Sequence, residues 1–412
     1  MTKALHDATH VKRAGDTLIA FDQAAQIVAD YASPLGREQV ALDHAAGRVL
    51  AEDITAGFDS PAWPVSAMDG YAVRDRDLHA IPAGLPIAGA SFAGHPLSGP
   101  LARGTCVRVF TGAMVPHGTD RVVIQEDVRE ENGIAQFHRP LANRRHLRAP
   151  GSDFAKGDLV LATGNLLTPQ ALVGAAAADR AKLYVYRKPM VSILCCGDEL
   201  VAPGQPGRTP EKIPESISYG ISALVEEWGG MVVHRSRQPD DLAMLRRAAA
   251  AALTTSDIVV VVAGASVGEK DFAKAAFADP GFELLFGKVA IKPGKPVWFG
   301  RRDKSLVIGL PGNPSSAMVT ARLFLAPLVA GLGGRPLNDA WDWHSMRGAM
   351  PLETGGDRDV FMRATVKGRV ATPLLNQDSA SQRPLACATH LIRCRAGEQR
   401  LPASAIVQTL KL

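Results

Sequence analysis

The stretch that decides the fold runs from Asp257 to Met318. It reads DIVVVVAGASVGEKDF (257–272), VAIKPGKPVWFG (289–300) and LVIGLPGNPSSAM (306–318). Three apolar runs, Ile258–Val262, Val297–Phe299 and Leu306–Ile308, have the length of buried strands, are rich in Val and Ile, and are bounded by Gly or Pro. Strands apolar on both faces, alternating with helical segments, belong in a parallel sheet covered by helices on each side. In such sheets ligands sit beyond the carboxyl ends of the strands. Gly264, Ser266, Gly268, Asp271, Lys288, Lys292, Lys295, Pro311 and Asn313 fall in and around the loops between these runs. Small residues let backbone N–H groups approach an anion and lysines add positive charge, so the pattern predicts a phosphate or similar oxyanion as ligand. Plain tight turns would use the same small residues. GASVGEK is not a Walker loop, because no Ser or Thr follows Lys270, and there is no G-x-G-x-x-G fingerprint.

Length and composition set the frame. A chain of 412 residues is expected to hold two to four domains. Its 46% hydrophobic content supports real cores, and a charged fraction of 21% argues against disorder. Net charge is +5, from 46 basic and 41 acidic residues that are interspersed. The cluster Arg139, Arg144, Arg145, His146, Arg148 has no aromatic residues for base stacking, so no nucleic-acid partner is expected. Five cysteines without a C-x-x-C spacing suit a reducing compartment. The first residues carry charges and no apolar core of a signal peptide, and no window reaches the ~20 apolar residues that cross a bilayer. The expectation is a soluble, cytoplasmic protein without a membrane partner.

Taken in order, residues 20–32 space Phe21, Ala24, Ala25, Val28 and Tyr31 on one helical face, with Asp22 as a candidate cap. A short helix is expected over Asp43–Leu50. Residues 61–144 are rich in Gly and Pro and hold the β-type runs GYAV, CVRVF, DRVVIQEDV and IAQFH, which predict an inserted β domain. Asp69 precedes Gly70 there, and Thr111 precedes Gly112; hairpin chemistry explains both pairs as well as a functional role does. Residues 20–60 and 145–185 read as one discontinuous, extended domain, with Asp153 in its Gly-Ser-Asp loop. Residues 186–331 are expected to form the α/β/α domain. There, GDEL places Asp198 and Glu199 after the strand Met190–Cys195, as a carboxylate pair that could hold a hard cation or cap a turn. Asp240 reads as a helix N-cap, and a helix from Pro314 to about Leu325 is stopped by Pro327. The tail, 332–412, has short β-type runs, DVFMRATV, THLIRCR and AIVQTL, that predict a small β barrel.

The order G-x-S-x-G-x-x-D-F, then K-P-G-K-P, then G-L-P-G-N-P-x-S resembles the molybdopterin molybdenumtransferases, or molybdenum insertases, and the E domain of gephyrin. The resemblance extends from about residue 20 to the end. It implies a three-layer α/β/α molybdopterin-binding domain, an inserted β domain, an extended linker domain and a C-terminal barrel. The implied activity takes adenylylated molybdopterin and molybdate, inserts molybdenum into the pterin dithiolene and releases AMP. By the same resemblance Asp69, Thr111, Asp153, Glu199, Asp240, Asp271, Lys288, Lys292, Arg363 and Ser379 form the catalytic set. Glu199 and Asp271 would be the Mg²⁺ carboxylates, and Gly264, Ser266, Gly268, Lys295, Pro311 and Asn313 would contact the cofactor. A homodimer is implied, with the cleft shared between subunits, as is hand-over with the molybdopterin adenylyltransferase and with molybdoenzymes.

Four places depart from the family pattern: Cys196 before GDEL, Ala263 and Ala265 around Gly264, Pro214-Glu215-Ser216, and the run SASQRPLACATH after Asp378. A side chain where Gly is usual narrows the backbone choices of a loop. A non-catalytic paralogue acting as cofactor carrier or scaffold is the alternative; retention of Glu199, Asp271, Lys288, Lys292 and Arg363 favours the enzyme.

Overall fold

The computed structural model describes residues 17–141, 143–263, 272–278, 280–353 and 356–412. The chain divides into two compact units. One holds the described residues up to Ala51, Gly164–Thr168 and Lys182–Leu412; the other holds Glu52–Thr163 and Pro169–Ala181.

The larger unit is built on a six-stranded sheet. Its strands are β1 (Met190–Cys196), β2 (Met231–Gln238), β3 (Ile258–Ala263), β4 (Phe282–Phe286), β5 (Trp298–Arg302) and β6 (Ser305–Pro311). Their spatial order is β2-β1-β3-β6-β5-β4. β2, β1, β3 and β6 are mutually parallel. Because strand side chains alternate, the apolar runs serve two cores. Val191, Ile193, Val260 and Ile308 pack with the helices Phe21–Tyr31, Ile217–Glu227 and Pro314–Leu332. Leu194, Val259, Val261 and Val307 pack with Leu245, Ala249 and Ala252 of the helix Leu242–Thr255. The result is a three-layer α/β/α arrangement.

The run at Val297–Phe299 departs from the parallel expectation. β5 is antiparallel to β6, pairing Arg302 with Ser305, and β4 is antiparallel to β5. Only Asp303 and Lys304 separate the two paired ends, with Asp303 at φ 54° in the left-handed region. A parallel crossover needs about a dozen residues, so this link can only be a hairpin.

Pro327 does not stop its helix. The helix continues from Pro314 to Leu332, and 94% of that stretch is buried. It is long and apolar enough to cross a membrane, beyond what the sequence windows suggested, but here it lies in the core. A proline lacks the N–H that would meet the carbonyl four residues back. That carbonyl belongs to Leu323, and Trp341 Nε1 donates to it at 3.0 Å. The turn before, Ala321–Leu325, widens into a π-helix, with Ala326 N–H bonded to Ala321 O.

The C-terminal strands are β7 (His344–Gly348), β8 (Asp359–Lys367), β9 (Val370–Pro373), β10 (His390–Cys394) and β11 (Ile406–Lys411). They pair in the ring β8-β9-β7-β11-β10 and back to β8, a closed five-stranded barrel. Leu352, Ala364, Ala371, Ile392 and Val407 fill it. Two features fix the barrel to the sheet domain. The short strand Ile291–Lys292 runs parallel to the start of β8, pairing Ile291 with Asp359. Phe361, Leu391 and Leu410 join the core that also holds Val260 and Ile308.

Near the start of the described chain, Asp22 does not cap the helix Phe21–Tyr31; its carboxylate pairs instead with the buried Arg393, at 2.8 Å. The expected helix over Asp43–Leu50 is only a 3₁₀ turn, Leu42–His44, followed by Gly47 at φ 71°. Ala and Leu favour a helix there, but the left-handed glycine ends it.

The smaller unit carries a six-stranded sheet with neighbours Arg121–Ile124, Gly70–Val73, Cys106–Val109, Ala83–Ser91, Ile134–Phe137 and Val128–Glu131. Gly70 is not a hairpin-turn residue. It opens a strand, and a Cβ there would stand 2.1 Å from Val123 O. Here Gly answers a close approach of two backbones.

The Trp341–Leu323 bond generates a test. Trp341→Phe leaves a buried carbonyl unmet and is expected to cost about 1–3 kcal/mol in urea unfolding. In a Pro327→Ala background the new N–H can serve that carbonyl, so the same substitution should then cost less than half as much. Equal costs in both backgrounds would refute this account of the helix.

Candidate active site

Topology brings the predicted loops to one rim. The parallel strands β1, β2, β3 and β6 end there in Gly197–Glu199, in Pro239–Asp241, at Ala263 and in Pro311–Asn313. β5 runs the other way, so its first residue, Trp298, lies beside Gly309 near the end of β6. The segment before it, Lys292–Val297, therefore reaches the same rim. β4 has the sense of β6, since both are antiparallel to β5, and its end delivers Gly287 and Lys288 there as well. The order β2-β1-β3 makes the gap between β1 and β3 the topological switch point, where ligands of open α/β sheets collect. Glu199 stands there. Three inter-strand steps of about 4.8 Å, roughly 14 Å, separate β1 from β5. That is too far for a direct ion pair and suits a ligand with several anionic groups.

The carboxylates are held without being consumed. Gly197 N–H bonds Gln238 O at 3.1 Å and Asp240 N–H bonds Asp198 Oδ1 at 3.1 Å, so the loops after β1 and β2 are tied together. Glu199 is exposed, and its carboxylate folds back over Gly197: a Cβ on that glycine would lie 2.7–2.9 Å from it. Glu199 makes no side-chain hydrogen bond among the described residues. The N-cap of the following helix is Asp241, whose side chain accepts from Met244 N at 2.7 Å. The capping role read onto Asp240 thus falls one residue later, and the exposed carboxylate of Asp240 has no partner among the described residues.

Lys288, Lys292 and Lys295 are exposed, and none makes an ion pair or side-chain hydrogen bond among the described residues. Their loop is fixed from below. Gly294 has φ 104°, and a Cβ there would stand 2.2 Å from Thr320 Cγ2, so only glycine lets the loop lie on the helix Pro314–Leu332. Unpaired ammonium groups on a fixed loop are free to meet an incoming anion.

A second cluster joins the barrel to the start of that helix. Asn313 Nδ2 donates to Ser379 Oγ at 3.1 Å, and Ser315 N–H donates to Ser379 O at 3.0 Å. The latter satisfies one of the free N–H groups of a helix start. Arg363, on β8, is fully buried. Its guanidinium donates to Ser315 Oγ, to Asn376 O at 3.3 Å, to Ser381 O at 3.4 Å and to Gln377 Oε1 at 3.4 Å. Burial pushes this guanidinium below the ordinary arginine range, against a smaller opposing effect of Asp378. Arg363 therefore positions the 376–381 loop instead of presenting its charge on the surface. Ser315, Gln377 and Ser381 share this network. Ser315 is the unspecified position of G-L-P-G-N-P-x-S, and neither Gln377 nor Ser381 was singled out in the sequence. Pro311 is buried at the end of β6, opposite Ala263.

In the smaller unit Asp69 and Thr111 meet. Thr111 donates its N–H and its Oγ1 to Asp69 Oδ1, at 2.7 and 2.8 Å. These two bonds, the backbone one first, hold the Asp69 carboxyl below its ordinary value, with a smaller effect of Arg108. The same clamp recurs at Asp53, which accepts from Thr163 N and Oγ1 at 2.7 and 2.8 Å ahead of Gly164. The pair is thus a way to close a Thr-Gly turn wherever one is needed. Asp153 is exposed, its N–H bonded to Ser60 O at 2.9 Å. Gly264, Ser266, Gly268 and Asp271 lie outside the described residues.

The departures from the family pattern find local roles. Glu215 is buried and accepts from Ser218 N at 2.8 Å and Ser218 Oγ at 2.5 Å, at the start of the helix Ile217–Glu227. Part of SASQRPLACATH becomes the helix Gln382–Cys387, next to the Ser381 carbonyl that Arg363 holds.

Two outcomes follow. Thr111→Val should raise the Asp69 pKa toward its ordinary 3.8, read by carboxyl NMR. A depressed carboxylate stabilises the fold above its unfolded pKa and loses that effect as pH falls through the folded one, so the variant's penalty should be present at about pH 6 and vanish in acid. Arg363→Lys keeps the charge and loses the planar fork, and should speed amide exchange over 374–381 at least about tenfold. Unchanged exchange there would remove Arg363 as the organiser of the loop.

Comparison with known proteins agrees with this geometry. Residues 19–178 match the MoeA N-terminal region (domain I and II), and residues 192–331 match a probable molybdopterin binding domain. The molybdopterin molybdenumtransferase of Haemophilus influenzae is 39% identical over 320 residues, covering 77% of this chain and 78% of that protein. That of Synechococcus elongatus is 34% identical over 396 residues, covering 92% and 95%. The crystal structure of the molybdopterin biosynthesis MoeA protein of Pyrococcus horikoshii superposes with a TM-score of 0.83 at 26% identity, over 96% of this chain and 100% of that one. With both family regions present and relatives aligned along most of its length, this chain belongs to the molybdopterin molybdenumtransferase family.

Proposed function

We propose that the carboxyl rim of the sheet binds adenylylated molybdopterin and molybdate, transfers molybdenum to the pterin dithiolene and releases AMP. The observation that carries this reading is the gathering of three lysines without partners among the described residues, Lys288, Lys292 and Lys295, on the rim where Glu199 marks the switch point. Dithiolene, phosphates and molybdate are all anionic, and their mutual repulsion is the main obstacle to bringing them together. Fixed cations that need no reorganisation lower that obstacle. Lys292 and Lys295, on the loop braced by Gly294, would hold the pterin phosphate or the oxyanion. Asn313 and Ser379 would orient it from the start of the long helix, with Arg363 keeping their loop in place.

Glu199 suits Mg²⁺, which is commonly held by one or two carboxylates together with substrate phosphates and water. No group of three His, Cys, Asp or Glu donors is present among the described residues, so these residues do not enclose a metal by themselves. When bound, the ion would polarise the phosphoanhydride whose hydrolysis releases AMP. Glu199 and Asp271 would hold it, and Asp240 would orient water. The catalytic roles of Asp69, Thr111 and Asp153, the four-domain division, assembly as a homodimer and hand-over with the adenylyltransferase and molybdoenzymes belong to the same proposal.

The test is incubation with adenylylated molybdopterin, Mg²⁺ and molybdate, following AMP and pterin-bound molybdenum. Lys292→Ala should lower the rate about 100-fold or more, the scale of losing one preorganised donor. Glu199→Gln should shift the Mg²⁺ dependence to higher concentration. Molybdate-independent AMP release, or a wild-type rate in Lys292→Ala, would end this reading.

A further inference from the structure

A cavity of about 550 Å³ lies between the sheet domain and the barrel. It sits away from the rim described above. Glu227 and Trp228 line it at the carboxyl end of the helix Ile217–Glu227, just before β2 starts; there Met231 N–H bonds Pro189 O, beside the first residue of β1. This is the amino end of the sheet. The volume is that of a small-molecule pocket.

Its cations are poorly matched within the protein. Arg322 is 3% exposed and reaches the cavity from the long helix. Its Nε donates to Lys411 O at 2.7 Å and its Nη1 to Ala340 O at 2.8 Å; Nη2 has no hydrogen bond among the described residues. Arg335 Nη1 donates to Glu227 O at 3.4 Å, whereas its Nε is buried without a hydrogen-bond partner among the described residues. Both guanidiniums stack on one indole: Arg322 at 4.9 Å and Arg335 at 4.6 Å from the Trp228 ring. Arg369 and Lys411 add two further positive groups to the wall. None of these four cations makes an ion pair among the described residues. Burial pushes Arg322 down to about 10, opposed by the charge of Glu227. Two guanidiniums on the same ring repel each other, neither is ion-paired among the described residues, and an anion between them would relieve that repulsion.

The wall is not simply basic. Glu227, Asp339 and Asp342 also line it, with Asp342 bonded to His344 Nε2 at 2.8 Å. Glu227 and Asp339 make no ion pair among the described residues. They offer acceptors to a ligand that carries hydroxyl donors as well as a charge.

We propose that this cavity is a second ligand site, taking a small hydroxylated organic anion whose phosphate or carboxylate lies between Arg322 and Arg335. Trp228 holds the two guanidiniums in place from behind, and Glu227 and Asp339 receive the ligand's hydroxyl groups. The inference rests on this cavity alone and not on the transferase reading.

Calorimetric titration of the full chain with AMP, citrate and inorganic phosphate tests it. At least one organic probe should bind, and Arg335→Gln should weaken it about tenfold or more, the scale of a lost charge-assisted hydrogen bond. Arg369→Gln, at an exposed position, should weaken it in the same direction, which guards against a folding defect. Lys292→Gln should leave it within about twofold. AMP against citrate tells phosphate from carboxylate, and inorganic phosphate binding more weakly than AMP would show that the hydroxyl groups count. Binding lost in Lys292→Gln but kept in Arg335→Gln would place the ligand on the carboxyl rim and overturn the proposal. So would the absence of any Arg335-dependent binding.

Discussion

The hairpin at Asp303–Lys304 is the constraint on which the site depends. In an all-parallel sheet the chain between β4 and β6 would have to climb back over a face, and its loops would alternate between the two ends. A two-residue turn reverses β5 instead. The residues before Trp298 are then delivered to the rim where β6 ends, and β4 brings Lys288 to the same place. The lysines meet the switch point because of strand direction, a property of the backbone. Their own side chains contribute nothing to that placement, since they are exposed and unpaired among the described residues. A fold that fixes its cations through the backbone can leave them free for a ligand.

The second constraint is how the barrel is held. The sheet domain and barrel share a core, but the loop that carries Ser379 has few apolar residues to bury. Arg363 replaces apolar packing there. Its fork reaches the Ser315 hydroxyl across the boundary between the two domains and two carbonyls of its own domain, Asn376 O and Ser381 O, while Gln377 accepts from its Nε and N–H and returns bonds to Arg363 O and Leu374 O. A buried guanidinium is costly unless its donors are met, and here each of its three nitrogens has at least one acceptor. The arrangement is specific because nearly any other loop conformation would leave that charge unsatisfied.

The contrast with Arg322 and Arg335 is instructive. Arg322 is buried and Arg335 partly so, in the same unit; Arg335 leaves its buried Nε unmet, and Arg322 Nη2 has no hydrogen bond among the described residues. The protein can therefore satisfy a buried arginine where it needs order. Donors left open beside a cavity mark a place where something other than the chain completes the bonding.

Much of this was legible in the sequence, for identifiable reasons. The Val- and Ile-rich runs gave the three layers because apolar residues on both faces exclude solvent from both. The barrel showed in short alternating runs. The rim residues stood out through the order of their motifs, since small residues beside such strands serve plain tight turns equally well. What could not be read depended on partners distant in sequence. Pro327 looked like a helix end because nothing nearby signals that Trp341, fourteen positions on, would serve the Leu323 carbonyl. Asp22 and Asp240 looked like caps because a local rule was applied to them, whereas Arg393 engages the first and its neighbour Asp241 takes the capping bond of the second. The Asp69–Thr111 pair argues the same point from the other side. Both residues were singled out and they do meet, but Asp53 and Thr163 meet in the same way without having been singled out at all. Geometry shared by two pairs explains how each turn closes. Chemistry at one of them has to come from what stands nearby, and at Asp69 the positive neighbour Arg108 is the feature within reach.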